Sequence, residues 1–409
     1  MREGWIRIPF GSVVTIASGQ VDPKKKPFAD MISVGPDNLL SGGGMDKEGL
    51  HTARELGQIS GKYAFDDTSI LYSKIRPNLN KVALPDFSGI CSADMYPLWP
   101  SDEQRADRRF IYFTLSSARF VSDATSRSFR TGLPKINRPD LEEIEILLPP
   151  LPEQRKIAEI LRTWDEALEK LAALRAAKQD RFTGLTQQIT GRGGVFPQRW
   201  PLKALSEVSN PVRRKSAGDN HPVMTISAKS GFLMQSDKFA RDMAGQSVER
   251  YTLLHEGEFA YNKGNSKTAP YGCVYRLDRP TALVPFVYFC FALKPGLDPE
   301  FYEHLFAAGA LNHNLSRLIN SGVRNDGLLN LYSEDFFSCR VPVPPLEEQR
   351  RIARTLTAAK QELALLDAEI EALTRQKRGL MQKLLTGEWR VTLDPSEPPA
   401  ATEEADHAG

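Results

Sequence analysis

Little in this 409-residue chain is built for chemistry or for a membrane. No stretch of eighteen apolar residues occurs, so no segment qualifies as a membrane-spanning helix, and the opening MREGWIRIPF lacks the apolar core of a secretory signal. Cysteine is scarce: Cys91, Cys273, Cys290 and Cys339 lie far apart, with no CxxC pair and no histidine at ligand spacing. That excludes a disulfide framework and a zinc site, and it points to reduced structural thiols in a cytoplasmic protein. No glycine-rich loop follows a strand pattern. Gly264-Asn265-Ser266-Lys267-Thr268 has serine where a phosphate loop needs glycine, and Asn210-Pro211 lacks the Pro-aromatic continuation of amino-methyltransferases. His304 and His313 have no carboxylate at ligand spacing and read as packing or surface residues. The expectation is a chain that catalyses nothing and holds no metal or cofactor. An embedded methylation or cleavage activity is the competing reading, and binding of labelled S-adenosylmethionine by the chain alone would revive it.

What is present is a repeat. PPLPEQRKIAEIL at residues 149–161 returns as PPLEEQRRIARTL at 344–356, an offset of 195 with nine of thirteen positions identical. The offset also carries Trp5 onto Trp200, Val13 onto Val208, Ile136 onto Leu331 and Asp140 onto Asp335. A period this long marks a duplicated domain with its following helix. Two copies of one binding unit imply a target with two halves.

Each PPL block opens a heptad seam. Ile352, Leu356, Ala359, Leu363, Leu366, Ile370, Leu373, Lys377, Leu380 and Leu384 alternate steps of four and three, and the first copy matches with Ile157, Leu161, Trp164, Leu168, Leu171, Arg175, Lys178, Phe182, Leu185 and Ile189. Arg175 and Lys178 put two cations in the first seam, whose middle is expected to pack less tightly. The prolines precede the helices, Glu153 and Glu347/Glu348 suit the positive first turn, and Thr190-Gly191 and Thr386-Gly387 supply stops. The two stripes can pair with each other as an intramolecular antiparallel coiled coil or dock onto partner helices.

The globular halves read as mixed α/β. TSILYSKI at 68–75, GEFAYNKG at 257–264 and GCVYRL at 272–277 are strand-like, and helices are expected around Arg108–Leu115 and Glu300–Leu311. SGGGMDKEG at 41–49 has no counterpart in the second half. The tail from Asp394 holds five acids and no Lys or Arg and is expected to be disordered, which leaves 53 basic against 46 acidic residues, or +7, over residues 1–393. So small an excess says little; the local clusters Lys24-Lys25-Lys26, Arg127 with Arg130, Arg213-Arg214-Lys215 and Lys263 with Lys267 say more.

The paired PPL blocks, the helices closing on ITGR and LLTGE, the tryptophan openings at Trp5 and Trp200, and the stretches ILYSKIRPNLNKVA (70–83) and EFAYNKGNSKTAPYG (258–272) make the chain resemble the specificity subunit of a type I restriction-modification system. The resemblance covers residues 1 to about 391. It implies an α+β, pseudo-two-fold chain of two tandem α/β target-recognition domains, at 1–150 and 193–345, separated by long helices at 151–192 and 346–391 that pair as an antiparallel coiled coil, with a tail at 392–409. It also implies a non-catalytic subunit that binds a bipartite double-stranded DNA site, docks two methyltransferase subunits and is joined by translocating restriction subunits. S-adenosylmethionine, ATP and Mg²⁺ would serve those partners. An orphan DNA-binding scaffold or regulator without a restriction partner is the alternative.

Candidates for DNA contact are Lys74, Arg76, Asn78 and Lys81 in the first half and Asn262, Lys263, Asn265 and Lys267 in the second, which share a Tyr-x-Lys start at Tyr72 and Tyr261, with Arg130 and Arg324 as a further pair. Candidates for subunit docking are Glu153, Gln154 and Arg155 and their counterparts Glu348, Gln349 and Arg350. These same residues have a local alternative, capping the helix or tying it to its recognition domain.

Overall fold

The structure, a computed structural model, describes residues 3–128, 133–190, 196–216, 218, 221–238, 248–264, 268–319 and 328–393. It is mixed helix and sheet and divides into two compact units. The first comprises Met1–Leu171 with Glu369–Gly409, and the second Ala172–Ala368. Two 40-residue helices, a central one at Leu151–Thr190 and a distal one at Leu346–Leu385, contribute to both.

In the first unit the N-terminal strand Ile6–Pro9 pairs antiparallel with Glu145–Leu148, just ahead of the central helix. A four-stranded antiparallel sheet runs in the order Val14–Ile16, Met95–Pro100, Ile70–Ser73, Val82–Ala83. A second sheet runs His51–Thr52, Ile32–Val34, Gly89–Ser92, Lys62–Phe65, with its middle pair parallel. Helices Arg108–Ser116 and Ala118–Ser126 cover the first sheet, each started by a side-chain cap from Asp107 or Ser117. Trp5, Phe10, Leu98, Phe110 and Phe120 share one apolar core with Ile157 and Leu161 of the central helix and Leu384 of the distal one.

The second unit repeats this plan. Leu202–Ala204 pairs with Arg340–Pro342, and the four-stranded sheet runs Ser209–Pro211, Phe289–Leu293, Phe259–Asn262, Cys273–Arg276, again antiparallel throughout. The second layer is reduced to two hairpin-like pairs, Met224–Ser227 with Gly231–Met234 and Thr252–His255 with Thr281–Val284, linked by one parallel bridge from Val223 to Leu283. The helix expected at 300–311 spans Pro299–Ala307 and stops there, because Gly309 turns the chain at φ +74° and a second helix begins at Asn312.

The seam positions lie on the inner face of both helices. Ile157, Leu161, Leu356, Leu363 and Leu366 are buried, and Leu168, Leu171, Ile352, Ile370 and Leu373 are half-buried. In the second unit the facing pairs are Arg175 with Asp367 at 2.9 Å and Lys178 with Glu362 at 2.6 Å, an antiparallel register since one number falls as the other rises. Each cation in the seam meets a carboxylate on the opposite helix. In the first unit Lys377 of the distal helix pairs with Asp165 of the central one. No described helix is long and apolar enough to cross a membrane.

Candidate nucleic-acid interface

The duplicated PPL block proves to be a clamp. The Trp5 indole Nε1 donates to Glu153 Oε2 at 3.0 Å, and 195 residues on Trp200 Nε1 donates to Glu348 Oε2 at 3.2 Å. Gln154 accepts from the backbone N of Asp107 (2.9 Å) and donates to the carbonyls of Arg105 (2.9 Å) and Pro149 (2.8 Å). Gln349 accepts from Asp298 N (2.9 Å) and donates to Pro344 O (2.7 Å). Asp107 and Asp298 are themselves the caps of the covering helices, bonded to Phe110 N and Phe301 N. Each block thus ties a tryptophan, a helix cap and the start of a long helix into one knot.

For three of the docking candidates the structure shows the local alternative, a tie between helix and recognition domain. Gln154 is 0% and Gln349 1% exposed, and Glu153 is buried against the Trp5 indole, so these three are turned inward; Glu348 bonds the Trp200 indole through Oε2 while its Oε1 meets exposed Arg199 at 3.1 Å. Arg155 and Arg350 do remain exposed, Arg350 in an ion pair with Glu347 at 2.9 Å.

The two Tyr-x-Lys ends also occupy equivalent places. Each follows the third strand of its four-stranded sheet, and each lysine carbonyl accepts a backbone bond from the segment ahead of the last short helix: Ile136 N to Lys74 O at 3.0 Å, Leu329 N to Lys263 O at 2.9 Å. The ammonium of Lys74 sits 4.8 Å from the Tyr96 ring centre, and that of Lys263 5.3 Å from Phe289, the aromatic at the matching register of the neighbouring strand. Lys74 is only 8% exposed, and burial, reinforced by nearby Lys135, pulls its pKa below the usual lysine value. It is part of the frame, not a displayed contact. Lys81 is likewise committed, donating to Pro36 O at 2.7 Å. Asn262 donates to Ile226 O at 3.1 Å and accepts from Gly264 N at 2.9 Å.

Arg76 and Asn78 behave differently: both are exposed and neither side chain is bonded among the described residues. Arg130, Asn265, Lys267 and Arg324, and the tail from Asp394, lie outside the described residues. Of the basic clusters, Lys24 and Lys25 are exposed, whereas Arg214 grips both oxygens of Glu258 at 2.9 and 3.1 Å, which raises its pKa, and Arg127 meets Glu143 at 3.3 Å. The sequence reading missed Lys135 and Arg138. Lys135 pairs with Asp94 at 3.3 Å, and Arg138 lies 5.9 Å from the centre of the same Tyr96 ring that Lys74 touches. The one available signal was the repeat match at neighbouring Ile136. No group of His, Cys, Asp and Glu suited to a metal occurs among the described residues.

The family model described as "Type I restriction modification DNA specificity domain" matches residues 3–178. The EcoDI type I specificity subunit of Escherichia coli is 36% identical over 201 residues, covering 48% of this chain and 43% of the relative. The EcoKI specificity subunit of E. coli K12 is 21% identical over 425 residues, covering 95% and 91%. Residues 3–178 thus match the type I restriction-modification specificity domain, and the chain is similar to type I specificity subunits. It spans less than half of the EcoDI relative in that match, 43% of its length. The S subunit of a type I system from M. genitalium shares the fold, with a TM-score of 0.57 at 17% identity over 93% of this chain and 96% of that one. In this chain the clamp gives the repeated PPL-x-EQR block a folding role.

Proposed function

We propose that this chain is the DNA-specificity subunit of a type I restriction-modification complex, without catalysis of its own. Each recognition domain reads one half of a bipartite site in double-stranded DNA. The paired helices set the spacer between the halves, and their outer faces, including Arg155 and Arg350, dock two methyltransferase subunits, with restriction subunits joining them. S-adenosylmethionine, ATP and Mg²⁺ serve the partners.

The observation that carries this reading is the recurrence of one frame with two different displays. The clamps recur at the same offset of 195, while the turns after Lys74 and Lys263 differ in length and sequence. A conserved frame with divergent tips suits two readers of unlike half-sites, since base discrimination resides in the few side chains that reach base edges. The test is a map of methylated adenines in cells carrying this gene and its methyltransferase, against cells lacking this gene alone. A split motif that disappears on deletion is the expected result; an unchanged map would defeat the proposal. Lengthening both helices by one turn, about 5.4 Å, should widen the spacer and leave both half-sites unchanged.

A further inference from the structure

The turn after Lys74 has a conformation that packing alone does not explain. Arg76 has φ +49° and Asn80 φ +50°, and these two are the non-glycine residues with positive φ among the described residues. Asparagine tolerates that region; arginine rarely adopts it, and such strain collects at functional sites. Between them Pro77 is buried while Arg76 and Asn78 point to solvent.

Three separate segments hold the backbone in place. Arg76 N donates to Pro134 O at 2.8 Å, the Asn80 side-chain Nδ2 donates to Ser116 O at 3.1 Å, and Gly42 N donates to Leu79 O (3.2 Å) and Asn80 O (3.1 Å). Within the turn Leu79 N donates to Arg76 O and Asn80 N to Pro77 O, both at 2.9 Å. Gly42 itself needs φ +89°, and at Gly43 a Cβ would meet the Tyr112 hydroxyl at 2.8 Å, so the glycine run with no counterpart in the second half is what lets a buttress come this close. Every neighbouring candidate is used up in the frame: Lys74 on Tyr96, Lys81 on Pro36. The fold has rigidified this turn and left two exposed side chains, two residues apart, with no bond among the described residues.

Resting on the specificity reading above, we propose that Arg76 and Asn78 form the base-reading tip of the first recognition domain. Arg76 takes the O6 and N7 acceptors of a guanine, and Asn78 takes the N6 donor and N7 acceptor of an adenine, in the major groove. Those two side chains have the fork and amide geometry for bidentate contact, and preorganisation removes the ordering cost that a flexible loop would incur.

The test uses the full chain with its methyltransferase subunits, methylated-adenine mapping of genomic DNA, and binding to duplexes carrying the mapped motif with single-base changes. Arg76→Gly relieves the backbone strain, so its melting temperature should equal or exceed wild type, while one guanine position in one half of the motif becomes degenerate with roughly 10- to 100-fold loss of discrimination. Arg76→Lys, which keeps the charge, should relax the same position. Asn78→Ala should relax an adenine in the same half, and the other half should be untouched. The proposal is overturned if Arg76→Gly and Arg76→Lys keep the motif intact, or if they weaken all sequences equally, as loss of a phosphate contact would. A wild-type complex that yields no split motif would instead sink the specificity reading itself.

Discussion

The two units solve one construction problem with different materials. The cross-strand pair Ile70/Leu98 in the first sheet is Phe259/Phe291 in the second, at the matching register and stacked with centroids 5.3 Å apart. Phe306, Phe336 and Phe337 pack around that pair, so the second core is aromatic where the first is largely aliphatic. The second layer diverges further, from a four-stranded sheet to two strand pairs joined by one bridge. The clamp diverges least: the indole–carboxylate bond and the glutamine's bonds to the capping aspartate N and the proline carbonyl recur in both units. Cores tolerate repacking when volume is kept, whereas a buried glutamine that both accepts from and donates to backbone groups has no isosteric replacement. Identity between the halves concentrates in the clamp block, at polar and apolar positions alike, and drifts in the sheets and their cores.

The sharpest way to break this comparison is at the glutamines. Gln154→Ala and Gln349→Ala should each cost about 3 kcal/mol, because each leaves a buried amide and carbonyl unpaired. Hydrogen exchange should place each loss in its own unit, and unequal costs would mean that the clamps are not equivalent. Trp5→Phe and Trp200→Phe remove the indole bond to a carboxylate together with part of a buried ring, and should cost at least ~1–2 kcal/mol each in denaturant titrations.

A smaller effect should separate the units by pH. His304 is buried and its Nε2 meets the Thr357 hydroxyl at 2.8 Å, and burial lowers its pKa below the ordinary 6.5. Since the unfolded chain takes up that proton first, the contribution of His304 is intact above 6.5 and is lost as pH falls from there toward the folded value. The second unit should lose protection below that pH, and His304→Asn should flatten the response; Arg109 stands at the 195-offset position, so the first unit lacks this term.

The least effect is expected in the helices. Arg175 and Lys178 pair with Asp367 and Glu362 on a partly exposed face, where such pairs contribute little. Replacing both cations with leucine should leave the melting temperature unchanged or raise it slightly; a marked fall would show that they set the register of the helix pair.

Much of this was legible from the chain alone. Strands at Ile70–Ser73, Phe259–Asn262 and Cys273–Arg276 fall inside the stretches that composition and turn residues marked out, and the helix at Arg108–Ser116 runs one residue past its expected end. Both long helices follow from a seam of period three and a half and from the prolines and glycines that bound it. The candidate interface was only half legible. Lys74, Arg76, Asn78 and Lys81 stand in one short stretch and look alike as polar side chains, yet two serve the frame and two face solvent.

The sequence by itself determined the duplication, the helical seams and the resemblance to type I specificity subunits, because repeats and periodicity are local properties of residue order. Only the tertiary structure decided what each polar residue is for. Glu153 and Gln154 meet partners 148 and 47 residues away, Lys74 meets a ring on a neighbouring strand, and Arg76 is held by a carbonyl 58 positions on. Whether a polar group is spent inside the fold or offered to a partner depends on the distant segments folded around it, and residue order does not record those.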